Sequence, residues 1–163
     1  MTTRIGPPAK ILRFLLALPV PWVFVLGYLA GVAVQLALFP QLLPPASGFI
    51  PAGGALLFVI GAGLAAWGWL IFRAAGTTRV PGEASSALVT WGPYRFTRNP
   101  MYVGLTLAYV GEAGLLQQLC PLFVLPLVLA YVNWVVIPVE EARLREIFDV
   151  AYDEYRSRVR RWL

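Results

Sequence analysis

"GGALLFVIGAGLAAWGWLIF", residues 53–72, decides what kind of protein this is. It runs for twenty residues without a charge, and a helix needs about 20 apolar residues to cross a bilayer's hydrocarbon core. Outward from it, the apolar stretch extends back to Phe49 and three more segments appear: Phe14 to Phe39, Met101 to Leu119 and Leu122 to Val139. The first is too long for the apolar part of a signal peptide and shows no clear cleavage site, so it reads as a retained helix. Only "QQLCP" sets the last two apart, which predicts a tight antiparallel hairpin.

The composition agrees. Of 163 residues, 59% are hydrophobic and 13% charged, against about 25% charged in a soluble domain. The expectation is an all-α integral membrane protein, residues 1–163 forming one domain of about four transmembrane helices, with residues 73–100 as a loop. With four spans, all thirteen cations fall on one side. Arg4, Lys10 and Arg13 precede the first span; Arg73, Arg79, Arg95 and Arg98 lie between the second and third; Arg143, Arg145, Arg156, Arg158, Arg160 and Arg161 follow the fourth. Lysine and arginine stay on the cytoplasmic side, so both termini are expected there. Cations that flank apolar segments point to membrane lipids rather than nucleic acid as partners. No obligate protein partner is evident. Histidine is absent and there is a single cysteine, Cys120, so neither a metal site nor an intrachain disulfide is expected.

Glu112 is the one acid away from the basic side, eleven residues into the third segment. An ionisable group so deep either marks a pocket or packs with a polar partner such as Gln35 or Asn133. In the second segment, Gly61 with Ala65 and Ala62 with Ala66 form small-xxx-small pairs that permit close helix packing. "GAG" (Gly61, Ala62, Gly63) lacks the strand-then-helix setting of a dinucleotide site.

The loop ends in "WGPYRFTRNP", residues 91–100. Asn99 before Pro100 is a helix start in which asparagine caps and proline gives up an amide with no partner. Arg95 and Arg98 beside it either bind an anion or anchor the span. After the fourth segment, Leu144, Ile147, Phe148, Ala151, Tyr152, Tyr155, Val159 and Trp162 form one stripe of an amphipathic helix over 140–162. Glu140 and Glu141 at its start are costly at a membrane exit unless they face water, a cation or a ligand. Two acids and an arginine-flanked helix start, brought together by a short hairpin, suit a zwitterionic ligand.

"LVTWGPYRFTRNPMYVG" followed by "EEARLREIFDVAYDEYRSRVRRW" resembles the membrane methyltransferases typified by isoprenylcysteine carboxyl methyltransferase, and phosphatidylethanolamine N-methyltransferase shares much of the pattern. The resemblance covers residues 73 to 162. It implies S-adenosyl-L-methionine as cofactor and a lipophilic small molecule or lipid as substrate. On this likeness Arg98, Asn99, Pro100, Tyr102 and Gly104 shape the cofactor pocket, and Glu140 and Glu141 hold its amino-acid end. "LVT", Leu88, Val89 and Thr90, lines the adenine side through its backbone, Tyr94 also binds the cofactor, and Gly61 and Gly63 lie near it. The catalytic candidates are Glu112, Tyr102 and Arg98.

Asn99 stands where the prenylcysteine enzymes have histidine. Asparagine does not act as a base, which a carboxylate acceptor does not need and an amine acceptor does; Glu112 or a tyrosine would then take the proton. The expected function is methyl transfer to a lipophilic acceptor, a prenylcysteine-like carboxylate or a phospholipid amine, at the cytoplasmic membrane face. The alternatives are an NADPH-dependent membrane reductase and a non-catalytic scaffold of the same fold.

Overall fold

A computed structural model describes residues 18–40, 48–75 and 87–163. Residues 14–17 of the first expected span lie outside the described residues, as do Arg4, Lys10, Arg13 and Arg79. The described residues form helices and no strand: α1 (Val20–Leu38), α2 (Phe49–Ala74), a 3-10 turn (Gly92–Arg95), α3 (Pro100–Leu115), α4 (Cys120–Tyr131), a π-turn (Val132–Val136) and α5 (Ile137–Arg158). Among the described residues three stretches are long and apolar enough to cross a membrane, namely α1, α2 and the continuous run Cys120–Arg158. At 16 residues α3 is shorter.

It is laid along α2, and glycine makes that possible. Gly54, Gly61 and Gly68 recur every seven residues on α2, and Gly104 and Gly111 do so on α3. A Cβ at Gly104 would sit 2.5 Å from the Ala65 nitrogen and 2.6 Å from the Gly61 carbonyl oxygen. One at Gly61 would collide with the backbone of Ala108, and one at Gly111 with that of Phe58. Backbone meets backbone here, as small residues allow between membrane helices. The seven-residue repeat keeps the contact stripe facing its partner along the whole seam. Of the two small-residue pairs expected, Gly61 and Ala65 lie in the seam, whereas Ala62 and Ala66 are exposed.

Helix α3 stops at Leu115, short of the expected Leu119. Gln117 adopts φ 53, and the Gln118 and Gln117 amides donate to the Ala113 and Gly114 carbonyls at 2.8 and 3.3 Å. This is a Schellman closure, with glutamine at the left-handed position that glycine usually fills. The hairpin then turns into α4 at Cys120. Helix α1 closes the other side: Gly31 lies against the Pro121 backbone, and Phe24 and Tyr28 meet the Tyr109 ring edge-on. The Gln35 Oε1 accepts from the Cys120 amide at 3.1 Å.

The fourth span and the amphipathic helix are not separate elements. The chain stays helical from Cys120 to Arg158 through the π-turn, in which the Ile137 amide reaches back to the Val132 carbonyl. Pro138 follows directly; it lacks an amide hydrogen and crowds the preceding turn, and a π-turn absorbs such a defect. Further on, Asp149 at φ 44, ψ −115 breaks the helix direction. Across this kink the Arg145 guanidinium pairs with Asp153 at 2.7 Å. The last turns thereby swing back toward the start of α3.

Candidate functional site

The chain after the kink is held against residues 94–99 by hydrogen bonds between side chains and backbone. The Arg98 amide donates to the Arg160 carbonyl at 2.9 Å. One guanidinium nitrogen of Arg98 donates to the carbonyls of Val159 at 2.7 Å and Arg156 at 3.1 Å. Both the Thr97 hydroxyl and the Asn99 side-chain amide donate to the Arg161 carbonyl, at 3.1 and 2.9 Å. Asn99 was expected to cap α3. It makes no side-chain cap; its amide is turned away from the helix start toward residue 161 instead. The Tyr155 hydroxyl donates to the Tyr94 carbonyl at 2.8 Å, and the Tyr94 hydroxyl to the Gly68 carbonyl at 3.4 Å. Gly92, at φ +62, sets the turn that aims Tyr94 inward.

The two adjacent acids have different surroundings. Glu141 is clamped between Arg98 at 2.8 Å and Arg161 at 2.6 Å. Burial pushes its carboxyl up, but hydrogen bonds from Arg161 and Arg98 outweigh burial and hold it below the ordinary carboxylate range. Burial also pushes the Tyr155 phenol well above its usual value, so it stays a neutral donor. Glu140 accepts a hydrogen bond from the Tyr102 hydroxyl at 2.7 Å and has no ion-pair partner among the described residues.

These groups surround a hollow at the basic end of the bundle. Leu88, Val89, Tyr94, Arg98, Asn99, Glu140 and Glu141 all line it. Phe72, Ala87, Arg143, Leu144, Ile147, Tyr152 and Tyr155 make up the rest of the wall. Tyr102 reaches it through Glu140, and Pro100 is fully buried in the first turn below. The Nε atom of Arg98 is buried without a hydrogen-bond partner among the described residues. The enclosed volume is about 130 Å3.

The chain belongs to the phospholipid methyltransferase family. The profile of that family, described as phospholipid methyltransferase, matches residues 49–151. The match takes in α2, the seam, both acids and most of α5. No curated protein and no solved structure matches the chain significantly. Family and fold together make it a membrane methyltransferase.

Besides Tyr102 and Pro100, four expected site residues of this methyltransferase do not line the hollow. Gly104 and Gly61 are consumed in the α2–α3 seam, and Gly63 faces open space with nothing within 4 Å. Glu112 lies in the last turns of α3, at the opposite end from Glu140, where Tyr28 and Tyr109 are its electrostatic neighbours. Neither suggested partner meets it: Gln35 takes the Cys120 amide, and Asn133 takes the Trp162 indole. The hollow has lining residues that the sequence reading did not place there, Arg143, Tyr152 and Tyr155 among them, and one contributor that acts through Glu141. Arg161 was read as an orientation signal, yet it ties residue 161 to Glu141, twenty positions away.

The chemistry of the lining suits S-adenosylmethionine, which carries an ammonium, a carboxylate, a sulfonium and an adenine. Glu140 offers an acid with no ion-pair partner among the described residues, and the buried Arg98 Nε lacks an acceptor among them that a carboxylate would supply. The apolar side chains of Phe72, Leu88 and Val89 offer a wall for an aromatic base. Typical ligand sites measure about 300–1,000 Å3, so the enclosed part holds only a portion of such a molecule and the rest occupies the open side.

Proposed function

We propose that the chain transfers a methyl group from S-adenosylmethionine to a lipophilic acceptor at the cytoplasmic face of the membrane. The observation that carries this is the pairing, on one hollow, of an acid without a cation (Glu140) and a buried guanidinium nitrogen without an acceptor (Arg98). A zwitterion with separated charges satisfies both. The orientation rests on the cations, which stay cytoplasmic in membrane proteins.

In this reading Glu140 receives the cofactor's ammonium, with Tyr102 fixing the carboxylate's direction. Arg98 meets the cofactor's carboxylate, and Glu141 neutralises Arg98 and Arg161 so that residues 94–99 and 159–161 keep their places. When bound, S-adenosylmethionine supplies an electrophilic methyl group on a sulfonium, so alignment of the acceptor does much of the catalytic work. An acceptor carboxylate needs no base. An amine must react in its neutral form, because Glu140 is engaged by the cofactor's ammonium; Glu112 lies away from the hollow.

The test is transfer of a labelled methyl group. The chain in nanodiscs of total membrane lipid is given methyl-labelled S-adenosylmethionine, with a prenylcysteine analogue in a parallel sample. Label is expected in the organic phase in at least one sample, and about tenfold or more below that with Glu140→Gln, as for one lost charge-assisted contact. A folded sample that labels neither acceptor class would overturn the proposal.

A further inference from the structure

A second space lies below the polar hollow, on the same helix faces. On α3, Asn99 lines the hollow, and Val103, Thr106 and Leu107 line a groove of about 610 Å3 one to two turns deeper. Steps of four and three residues keep Asn99, Val103 and Thr106 on one side of the helix. On the facing wall, Glu140 lines the hollow, while Asn133 and Ala130 line the groove. The π-turn between them widens the helix at that level.

Trp162 closes the groove from above. It lines the groove, and its indole N–H donates to the Asn133 side-chain oxygen at 3.0 Å. Its neighbour Arg161 holds Glu141 in the hollow at 2.6 Å. Two consecutive residues thus bear on the two spaces, Trp162 as lining and Arg161 through Glu141. The Thr106 hydroxyl is spent on the Tyr102 carbonyl at 2.7 Å, so the polar groups that remain sit at the upper end. The rest of the lining is hydrocarbon, and its α4 wall belongs to a stretch apolar enough to cross a membrane, where lipid chains are the available solvent. The volume is in the range of ligand sites of about 300–1,000 Å3.

We infer that the groove holds one hydrocarbon chain of the lipid acceptor, and that Trp162 separates this chain from the polar hollow where its head group reacts. The word acceptor rests on the methyl-transfer reading; occupation of the groove by a lipid chain does not. The chain is therefore reconstituted in phosphatidylcholine nanodiscs doped with phosphatidylethanolamine bearing a diazirine midway along one acyl chain. After photolysis, adducts are mapped by mass spectrometry. Val103, Leu107 and Ala130 should be labelled well above Phe123 and Leu127, which are 76% and 71% exposed on the outer face of α4. Equal labelling of groove and outer face would overturn the inference.

Ala130→Trp fills the groove, and Leu107→Trp fills it from the other wall should the first variant fold poorly. Either should remove the excess labelling and leave S-adenosylmethionine binding unchanged. Transfer to a long-chain acceptor should fall about tenfold or more, the scale of mismatch in an apolar pocket, with little change for a short-chain analogue. Equal loss for both acceptors would contradict the placement of the chain. Excess labelling in a wild-type chain that methylates no lipid would overturn the acceptor assignment together with the methyl-transfer reading, and identify a structural lipid instead.

Discussion

The α2–α3 seam and the basic end of the bundle hold the same helix by opposite means. Along the seam, glycine removes side chains so that two backbones touch, and the contact is apolar. At the basic end, long side chains cross between segments some sixty residues apart and fasten onto carbonyls and carboxylates. The first contact is sensitive to volume and indifferent to protons. The second is sensitive to charge and tolerates volume, because its partners lie beside a hollow. The stable seam fixes where α3 begins, and the polar clamp uses that fixed point to shape a site.

The largest effect is expected at the seam. Gly104→Leu puts a side chain where the Ala65 nitrogen and Gly61 oxygen already lie, both parts of rigid backbone. Overpacking costs about 1–3 kcal/mol where side chains can give way and more where they cannot, so this variant should fail to yield a monodisperse folded protein on size-exclusion chromatography. Gly63→Leu, in the same "GAG" neighbourhood but facing open space, should melt within a degree or two of wild type, consistent with the small effects of about 0.5 kcal/mol typical of surface sites. Similar behaviour of the two variants would break the comparison.

Gly61 and Gly63 also show what sequence alone leaves open. Hydropathy placed the helices because membrane burial depends on composition summed over about twenty residues, which a linear reading captures. Which glycine faces the neighbouring helix depends on rotation, and the seven-residue recurrence of Gly54, Gly61 and Gly68 was the signal that carried it. Seven of the expected residues do line one hollow, because the hairpin forces the start of α3 and the end of the fourth span together. The division of labour between Glu140 and Glu141 was not legible. It is decided by Arg161, which reaches Glu141 only because the helix kinks at Asp149. The role of Asn99 was misread for a related reason: a capping position is local, but its side chain has a stronger partner in a carbonyl 62 residues away.

At the basic end, Arg98→Ala removes a guanidinium that is 10% exposed and leaves Glu141, 15% exposed, with one partner. Breaking such a pair costs about 3 kcal/mol, which a thermal melt in detergent should show as a clear loss of stability short of complete unfolding. Arg98→Lys should recover little, because one ammonium cannot reproduce the fork that meets Glu141 and two carbonyls.

Protons sharpen the comparison further. The Glu141 carboxyl is held below its ordinary value of 4.5 in the folded chain. The unfolded state therefore takes up its proton first as pH falls. Stability from this group is fully present above the ordinary value and drains away as pH drops below it toward the lowered folded value. Melting temperature should decline over that acid window in wild type, with a shallower decline in Glu141→Gln. A slope unchanged by the substitution would remove Glu141 from the account of the clamp.

The smallest effect belongs to the outer surface of α5. Glu154 and Arg158 pair at 3.1 Å with side chains 63% and 73% exposed. Solvent and salt screen such a pair, so Glu154→Gln should change stability by about 0.5 kcal/mol or less.

The central claim is that one hollow offers a zwitterionic cofactor an acid with no ion-pair partner and a guanidinium nitrogen with no acceptor among the described residues, and calorimetry of the chain in nanodiscs against S-adenosylmethionine tests it most directly. Wild type should bind, Glu140→Gln should bind about tenfold or more weakly while melting like wild type, as for loss of one charge-assisted contact, and NADPH should not compete. A folded wild type that binds no S-adenosylmethionine, or a Glu140→Gln variant that binds it as tightly as wild type, would contradict the account.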